Sequence, residues 1–193
     1  NKIIYKYRAH KGFPFGLISG VKASTGKYIA ILDHDDVLTQ DSVAVRVEAF
    51  KKNPNVGFVY GNTNYMDETN QVYHTTKYKD YKTLDEFIKK TLIGPVYPSK
   101  HSGMLFNKEL LEKCGGYNPN LEYSFDTELT ARMAKLYGFV KIPDVVVNFR
   151  THNNNASKTL KYRINCAKTR IRLINDFFSN PVERAIGKAQ IAG

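Results

Sequence analysis

Residues 26–37 read GKYIAILDHDDV, an apolar run that leads directly into three carboxylates. The run Tyr28–Leu32 is short and almost wholly apolar, which is typical of a strand buried on both faces of a parallel sheet. Ligands of such sheets bind beyond the carboxyl ends of the strands, and here Asp33, Asp35 and Asp36 follow. Crowded carboxylates repel one another and raise one another's pKa, and a bound divalent cation removes that repulsion. Their hard oxygen atoms suit Mg²⁺ or Mn²⁺. The stretch therefore predicts a metal site that also holds a substrate phosphate.

The same carboxylates also fit a turn followed by a helix cap, because Asp is common in both positions. Downstream, Thr39 can cap a helix that ends near Asn53-Pro54. The apolar side chains of this helix recur at helical spacing and are Val43, Val47 and Phe50. We therefore expect the carboxylates to lie in a loop between a strand and a helix.

Length and composition predict one domain with a hydrophobic core, since the chain has 193 residues of which 42% are hydrophobic. No uncharged apolar run approaches the roughly 18 residues that cross a bilayer, and no secretory signal opens the chain. Cys114 and Cys166 form no disulfide framework or metal-spacing pattern, which favours buried thiols in a reducing compartment. We expect a soluble, cytoplasmic protein, and peripheral contact with the inner face of the membrane stays open.

The net charge of +11 predicts a surface that attracts anions such as nucleotide diphosphates, acidic lipid headgroups or nucleic acid. The excess is concentrated between Lys158 and Arg172, where no acidic residue occurs. An apolar stripe from Leu160 to Phe178 recurs there at helical spacing, which predicts one long basic amphipathic helix. Packing of the stripe on its own domain is the preferred interpretation, with membrane-surface or oligomer contact as the alternative.

Periodicities along the remaining chain alternate between strand and helix, which predicts an α/β fold. The predicted strands are Ile3–Arg8, Tyr28–Leu32, Val56–Tyr60, Gly103–Phe106, Phe139–Ile142 and Val145–Phe149. The predicted helices are Phe15–Ala23, Leu84–Leu92, Lys108–Cys114 and one that follows Ser124 and stops at Gly138. The tyrosine-rich segment 64–81 is expected to form a hairpin or an irregular excursion.

Asp126 falls in the first turn of the helix that follows Ser124. The helix dipole and the free amides of a first turn favour a charged carboxylate and lower its pKa, so Asp126 could serve as a base. Ordinary charge complementarity at a helix start explains the same residue without any catalysis. Glu128, slightly further along the helix, is a competing candidate.

Four ordered segments together resemble family-two glycosyltransferases with the A-type nucleotide-sugar fold (GT-A). The first is KGFPF at 11–15, followed by Gly20 and by ASTGKYIAILDHDD at 23–36. The others are CGGY at 114–117, FDTEL at 125–129 with Arg132 after it, and FRTH at 149–152. Because the four segments occur in order over most of the chain, they are far more specific than any one of them.

The resemblance implies a metal-dependent, inverting transfer of a sugar from a nucleotide-diphosphate donor, with a UDP-sugar as the family's commonest donor. Asp33 and Asp35 match the family's Asp-x-Asp element, which binds the donor and its Mn²⁺ or Mg²⁺. Asp36 is expected to belong to the same cofactor-binding group, in a supporting position behind the direct ligands. Asp126 matches the general base, and His152 matches a residue near the metal or diphosphate. The implied acceptor is a saccharide or a lipid-linked glycan of a bacterial surface polysaccharide or glycolipid. One departure is Phe125, which stands where the family commonly has Glu.

Members of the family begin with a strand, helix, strand unit that holds the nucleotide base and ribose, and this chain begins after it. We therefore expect residues 1–157 to form the metal and acceptor side of the catalytic domain and 158–193 a basic helical extension. The fold class that follows is α/β and GT-A-like, with a mainly parallel central sheet flanked by helices. It is incomplete at the N-terminus and has a C-terminal amphipathic helix. The 193 residues alone are expected to transfer no sugar.

Two alternatives come from different classes of protein. Asp33 and Asp35 also fit the signature of haloacid-dehalogenase-like phosphatases. These enzymes also require a later Lys and a paired acidic motif, and Lys141-Ile142-Pro143-Asp144 supplies only one of the two acids. The charge excess from Lys158 to Arg172 would suit a non-enzymatic binding module for acidic membrane or nucleic acid. No nucleic-acid recognition motif accompanies the charge, so nucleic acid is not an expected partner.

Overall fold

The computed structural model describes residues 3–9, 12–94 and 100–192. Its strands are β1 (Tyr28–Ala30), β2 (Val37–Leu38), β3 (Phe58–Met66), β4 (Val72–Thr76), β5 (Met104–Asn107) and β6 (Phe139–Arg150). Its α-helices are α1 (Phe13–Ala23), α2 (Ser42–Lys52), α3 (Leu84–Ile93), α4 (Lys108–Lys113), α5 (Phe125–Tyr137), α6 (Leu160–Phe177) and α7 (Pro181–Ala192). Short 3-10 turns cover His101–Gly103 and Ala156–Lys158.

The strands form one mixed sheet in the order β1-β5-β3-β6-β2, and β4 pairs with β3 to complete it. Among the described strands, only β3 and β6 pair in parallel, and the other four pairings are antiparallel. The expected α/β sheet flanked by helices is confirmed, but its mainly parallel character is wrong. The reason is that β5 lies between β1 and β3 and runs against both, and an apolar run does not show in which direction its neighbours run. The expected burial of Tyr28–Leu32 on both faces is also wrong, because Ile29 and Ile31 are buried whereas Ala30 and Leu32 of this edge segment are exposed.

The sheet separates two apolar layers. On one face, Phe58 of β3 packs with Phe87 of α3 and Leu129 of α5. On the other face, Val59 packs with Phe50 of α2. Neighbouring residues of β3 thus point into opposite layers, as the pleat of a strand requires. Both layers position the ends of β3 and β6, where the candidate site lies.

Strand β6 is one continuous element where the sequence predicted two short ones. Pro143 lies near its middle, and a proline cannot donate a hydrogen bond to the ladder. Its register against β3 shifts between Tyr60 and Asn62, and the side chain of Asn62 donates to the carbonyl oxygen of Pro143. The irregularity therefore accommodates the proline without ending the strand.

The predicted strand Ile3–Arg8 is wrong, because residues 3–9 adopt no regular secondary structure. Ile3, Tyr5 and Tyr7 are largely exposed. None of the described strands pairs with this segment, and an apolar-polar alternation does not form a stable strand without a partner.

The predicted amphipathic helix is confirmed as α6, and α7 follows it as a separate helix. Leu173 and Ile174 of α6 are buried against Leu92 of α3, whereas Leu160 and Ile164 at the start of α6 are exposed. The preferred interpretation, packing on the domain, therefore holds for the second half of the stripe only. No helix within the described ranges is long and apolar enough to span a membrane.

Gly61 of β3 allows close approach of β6, so we expect Gly61→Ala to destabilise the fold by about 1–3 kcal/mol. An added Cβ would lie 2.6 Å from the carbonyl oxygen of Asp144 and 2.6 Å from Cγ1 of Val146. The change forces the most extensive strand pairing of the sheet apart. Urea-induced unfolding measures the effect.

Gly20→Ala in α1 is the matched control, because nothing lies within 4 Å of its added Cβ. Alanine in a helix interior is favoured over glycine, so this variant should gain about 0.5–1 kcal/mol. Equal destabilisation of both variants would contradict the packing role of Gly61.

Candidate active site

Asp36 fixes the loop between β1 and β2 from inside the protein. Its carboxylate accepts a hydrogen bond from Ser102 Oγ at 2.6 Å and from the backbone N–H of Arg150 at 3.0 Å. The hydroxyl of Ser102 also accepts from the backbone N–H of Asp33 at 3.1 Å. Burial raises the pKa of Asp36, and the two hydrogen bonds oppose that shift. Asp36 is therefore buried and turned inward, and its position orders the exposed Asp33 and the partly exposed Asp35 beside it.

The loop does not lead directly into a helix, as the sequence suggested, but first into the short strand β2. Thr39 is not the helix cap, since Asp41 precedes α2 and the Thr39 hydroxyl donates to the carbonyl oxygen of Val145 at 2.8 Å. The carboxylates consequently sit in a strand-to-strand turn that is closed by a bond from the N–H of Asp36 to the carbonyl oxygen of Asp33.

Asp35 points to the end of β6 and meets His152, which is 117 positions away in sequence. The Asp35 Oδ2 and His152 Nε2 atoms are 3.0 Å apart. Asn155 orients the pair, because its side-chain oxygen accepts from the backbone N–H of His152 at 2.7 Å and its amide nitrogen lies 3.4 Å from the same Asp35 oxygen. Both members of the pair are partly exposed.

Arg150 holds the carboxylate loop against β3. Its Nε donates to the carbonyl oxygen of Asp35 at 2.9 Å, and its Nη1 donates to the carbonyl oxygen of Asp67 at 3.1 Å. Sequence reasoning used Arg150 only as part of a motif and missed Ser102 and Asn155 altogether. Neither residue belongs to a motif, although Asn155 follows the FRTH segment closely, because each acts through a hydrogen bond to an Asp that is distant in sequence.

The donor set of Asp35 and His152 fits part of a divalent-metal site. Mg²⁺ and related ions are commonly bound through one or two carboxylates together with substrate phosphates and water. Carboxylate oxygens suit both Mg²⁺ and Mn²⁺, and an imidazole nitrogen is a common ligand of transition metals. Asp33 is exposed beside the pair. Within the described ranges, no group of three or more His, Cys, Asp or Glu side chains could hold a metal ion. The residues therefore suit an ion that a diphosphate helps to bind.

Asp126 lies in the first turn of α5, as predicted, and is half-buried. Below it, the hydroxyl of Tyr117 and Nε2 of His101 are 2.8 Å apart. Burial raises the pKa of Tyr117 far above its usual range, and the negative charges of Asp126 and Asp33 raise it further. Both carboxylates thus act on one buried pair, which brings Asp126 to the same region as Asp33 of the carboxylate loop.

Glu128, the competing candidate, is engaged elsewhere. It forms a two-point ion pair with Arg132, with N–O distances of 2.6 and 2.9 Å. Arg132 also donates to the carbonyl oxygens of Cys114 and Gly116 and so holds the glycine turn before Tyr117. Because Glu128 is buried and doubly bonded, Asp126 is the carboxylate of this turn that is open to a substrate.

Phe125 packs where the family commonly places Glu. Its ring lies 6.2 Å from that of Tyr117 and 6.3 Å from that of His101. The side chain is buried in the core layer that contains α5. Phe125 therefore supports the His101–Tyr117 pair by packing and leaves Asp126 without a neighbouring charge at this position.

His101 should make stability pH-dependent, because burial lowers its pKa from 6.5 while Asp126 and Asp33 raise it by less. Below about pH 6.5 the unfolded chain binds a proton that the native state resists, so stability falls as the pH falls. The slope reaches at most about 1.4 kcal/mol per pH unit. We expect the urea midpoint of unfolding to depend less on pH in His101→Gln than in the wild type between about pH 7.5 and 5.5.

His74→Gln is the control for that measurement, since His74 is exposed on β4. This variant should keep the wild-type pH dependence. If His101→Gln kept it as well, the proposed burial of a neutral His101 would be refuted.

Lys141 lies far from the carboxylate loop, which argues against the phosphatase alternative. Tyr60 pairs with Lys141, and Met66 pairs with Arg150 at the site. Along β3, Tyr60 and Met66 are six residues apart, which places the two pairings about 20 Å from each other. Lys141 therefore cannot supply the site lysine that a phosphatase of that class requires.

Residues 6–169 match the family described as "Glycosyltransferase like family 2". The match covers most of the chain, so the protein belongs to this family of glycosyltransferases. Membership confirms the resemblance on which the sequence prediction depended and sets aside the phosphatase and the non-enzymatic binding module.

Curated relatives agree with this assignment. An uncharacterised glycosyltransferase of Rickettsia prowazekii is 24% identical over 165 residues, which cover 82% of this chain and 50% of the relative. A poly-beta-1,6-N-acetyl-D-glucosamine synthase of Staphylococcus epidermidis is 26% identical over 133 residues, which cover 62% of this chain and 32% of the relative. The chain thus spans half or less of the length of these relatives.

Solved structures confirm the GT-A fold. The mannosyltransferase PcManGT from Pyrobaculum calidifontis, in complex with GDP-Man and Mn²⁺, superposes with a TM-score of 0.58 at 20% identity, covering 94% of this chain and 49% of that one. S. aureus TarS 1–349 in complex with UDP-GlcNAc superposes with a TM-score of 0.60 at 12% identity, covering 94% of this chain and 52% of that one. At these identities the likeness concerns the fold.

Proposed function

We propose that the protein is a metal-dependent, inverting glycosyltransferase that moves a sugar from a nucleotide-diphosphate donor, a UDP-sugar, to a saccharide or lipid-linked acceptor. The carrying observation is the 3.0 Å contact between Asp35 and His152. A partly exposed oxygen and nitrogen donor meet there, at the edge of the sheet. The presence of nucleotide sugars in the two structural neighbours, one of them with Mn²⁺, supports the proposal.

Asp35 and His152 would hold Mn²⁺ or Mg²⁺ on the donor diphosphate, and Asp33 would contact the donor beside it. When bound, the cation stabilises the negative charge that develops on the departing diphosphate. Asn155 and Arg150 position Asp35 through the contacts at its carboxylate and its carbonyl oxygen. Asp36 serves indirectly, by fixing the backbone of the turn.

Asp126 would act as the general base. The acceptor hydroxyl attacks the anomeric carbon from the side opposite the diphosphate, and its proton passes to the Asp126 carboxylate. A bond forms between the acceptor oxygen and the anomeric carbon as the bond from that carbon to the diphosphate oxygen breaks, and the electron pair leaves with the diphosphate. Attack from the opposite side inverts the configuration.

The acceptor assignment is supported by the relative that is named a poly-beta-1,6-N-acetyl-D-glucosamine synthase. We propose a surface polysaccharide or glycolipid as the product. Residues 1–157 would form the metal and acceptor side of the catalytic domain, and 158–193 a basic helical extension.

A donor screen with the full-length protein tests the function. Release of the nucleoside diphosphate is measured for UDP-glucose, UDP-galactose, UDP-GlcNAc and GDP-mannose, with Mn²⁺ or Mg²⁺ and with a chelator. The proposal expects metal-dependent turnover of a UDP-sugar. Turnover that survives chelation, or hydrolysis of simple phosphoesters alone, would contradict it.

A further inference from the structure

We infer that the outer face of helices α6 and α7 is a docking surface for an anionic lipid bilayer. This membrane face is defined by the exposed apolar and basic side chains of the two helices. It goes beyond the proposed reaction and does not depend on it. The surface is argued from three features of the described residues: its apolar strip, its basic border and its charge sign.

The apolar strip consists of large side chains that point away from the core. On α6, Leu160 and Ile164 are 70% and 45% exposed, and Ile171 continues the same strip. On α7, Val182 and Ile186 are 64% and 54% exposed. Each helix thus presents exposed apolar side chains four residues apart.

The α6 strip and Ile186 of α7 face a common groove, whereas Val182 is not part of its lining. Leu160, Ile164 and Ile171 line it from α6, and Ile186 lines it from α7. Its volume is about 1300 Å³. An exposed apolar surface shared by two packed helices indicates a partner with apolar chemistry of its own.

Basic side chains border the strip on α6. A second strip of α6 is basic and consists of Lys161, Lys168 and Arg172, which repeat at intervals of seven and four residues. Because Lys161 and Arg172 directly follow Leu160 and Ile171 in sequence, the basic strip runs along the helix next to the apolar one. All three are exposed, as is Arg163 on the opposite border. The stems of such side chains cover apolar surface while their charges reach the headgroup layer, as in helices that lie in a membrane interface.

The charge sign selects the bilayer over other occupants. Within α6, Asp176 is the only acidic residue against five Lys and Arg. A second copy of the chain in a two-fold contact would place the same cations opposite one another. A nucleic-acid backbone would neutralise the cations but leave the apolar strip in water. An anionic lipid surface satisfies both strips at once.

The membrane face also adjoins the candidate active site along the chain. Asn155, which orients Asp35 and His152, is followed by the turn Ala156–Lys158 and then directly by Leu160 at the start of α6. A surface-bound enzyme would therefore keep its site loop close to the bilayer, where a lipid-linked acceptor would be presented.

Vesicle co-sedimentation of the full-length protein tests the inference. We expect binding to phosphatidylcholine vesicles with about 30% phosphatidylserine and little binding to phosphatidylcholine alone, since each cation near an anionic surface contributes about fivefold. The affinity for the anionic vesicles should fall on the order of 100-fold in the triple variant Lys161→Gln, Lys168→Gln, Arg172→Gln. The double variant Leu160→Ser, Ile164→Ser should bind the same vesicles about tenfold more weakly, or weaker still.

The matched control removes the same charge elsewhere, by Lys51→Gln, Lys52→Gln and Lys113→Gln on α2 and α4, and should bind within about twofold of wild type. The substituted side chains are exposed, so thermal unfolding should be unchanged in every variant. Absence of vesicle binding, an equal loss in the control, or a loss in the basic variant without one in the apolar variant would overturn the inference. A dimer that the apolar variant dissociates, with vesicle binding intact, would overturn it too.

Discussion

Asp126→Asn should reduce sugar transfer by about 10²–10⁴-fold while leaving the affinity for UDP and Mn²⁺ within about twofold. An amide keeps the size and the hydrogen bond that Asp126 Oδ1 accepts from the N–H of Thr127, but it cannot accept the proton of the acceptor hydroxyl. The loss should therefore fall on kcat rather than on donor binding. Transfer kinetics and calorimetric titration of UDP, both on the full-length protein, measure the two quantities.

Glu128→Gln is the matched control, because it makes the same change on the same turn of α5. The amide weakens the ion pair with Arg132, so we expect a loss of about 1.5–3 kcal/mol in unfolding free energy. Its kcat per folded molecule should stay near that of wild type. A loss of kcat in Glu128→Gln that matches or exceeds the loss in Asp126→Asn would transfer the base role to Glu128.

Local signals predicted most helices well, because their periodicity and stop residues lie within the helix itself. Thr83 caps α3, and Asn107 caps α4 through a bond from the N–H of Leu110, as the predicted helix start requires. Gly138 ends α5 with a positive φ of 69°, which glycine adopts at no steric cost. Information of this kind is contained in a few neighbouring residues.

Strand partners were predicted less well, because direction and pairing depend on segments far apart. Apolar runs such as Tyr28–Ala30 and the strand Met104–Asn107 gave no indication that they pair antiparallel to each other. Residues 3–9 have a strand-like pattern but no partner among the described strands. For the same reason, Phe139–Ile142 and Val145–Phe149 were predicted as two strands, whereas pairing with β3 makes them one.

The candidate site divides in the same way. Asp35, Asp126 and His152 could be named from motifs, and the structure brings Asp35 and His152 into contact. Ser102 and Asn155 could not be named, because their only signal is the hydrogen bond that each makes to a distant Asp. Motif residues are thus readable from sequence, while the residues that orient them require the fold.

Asp35→Asn should weaken Mn²⁺-dependent UDP binding by more than the 10–100-fold that loss of an orienting contact usually costs. The change removes the negative charge from the oxygen that faces His152 Nε2 at 3.0 Å, and a neutral amide is a weaker ligand for a hard cation. His152→Gln should weaken binding in the same direction. Titration of UDP with and without Mn²⁺ measures the effect.

Asp41→Asn supplies the control for charge, since Asp41 is exposed before α2 and makes no side-chain cap bond. It should bind UDP as wild type does. The decisive comparison is with Asp126→Asn: if Asp35 holds the cation and Asp126 takes the proton, one variant loses binding and the other loses only turnover. Equal loss of both properties in both variants would mean that the two carboxylates do not have separate roles.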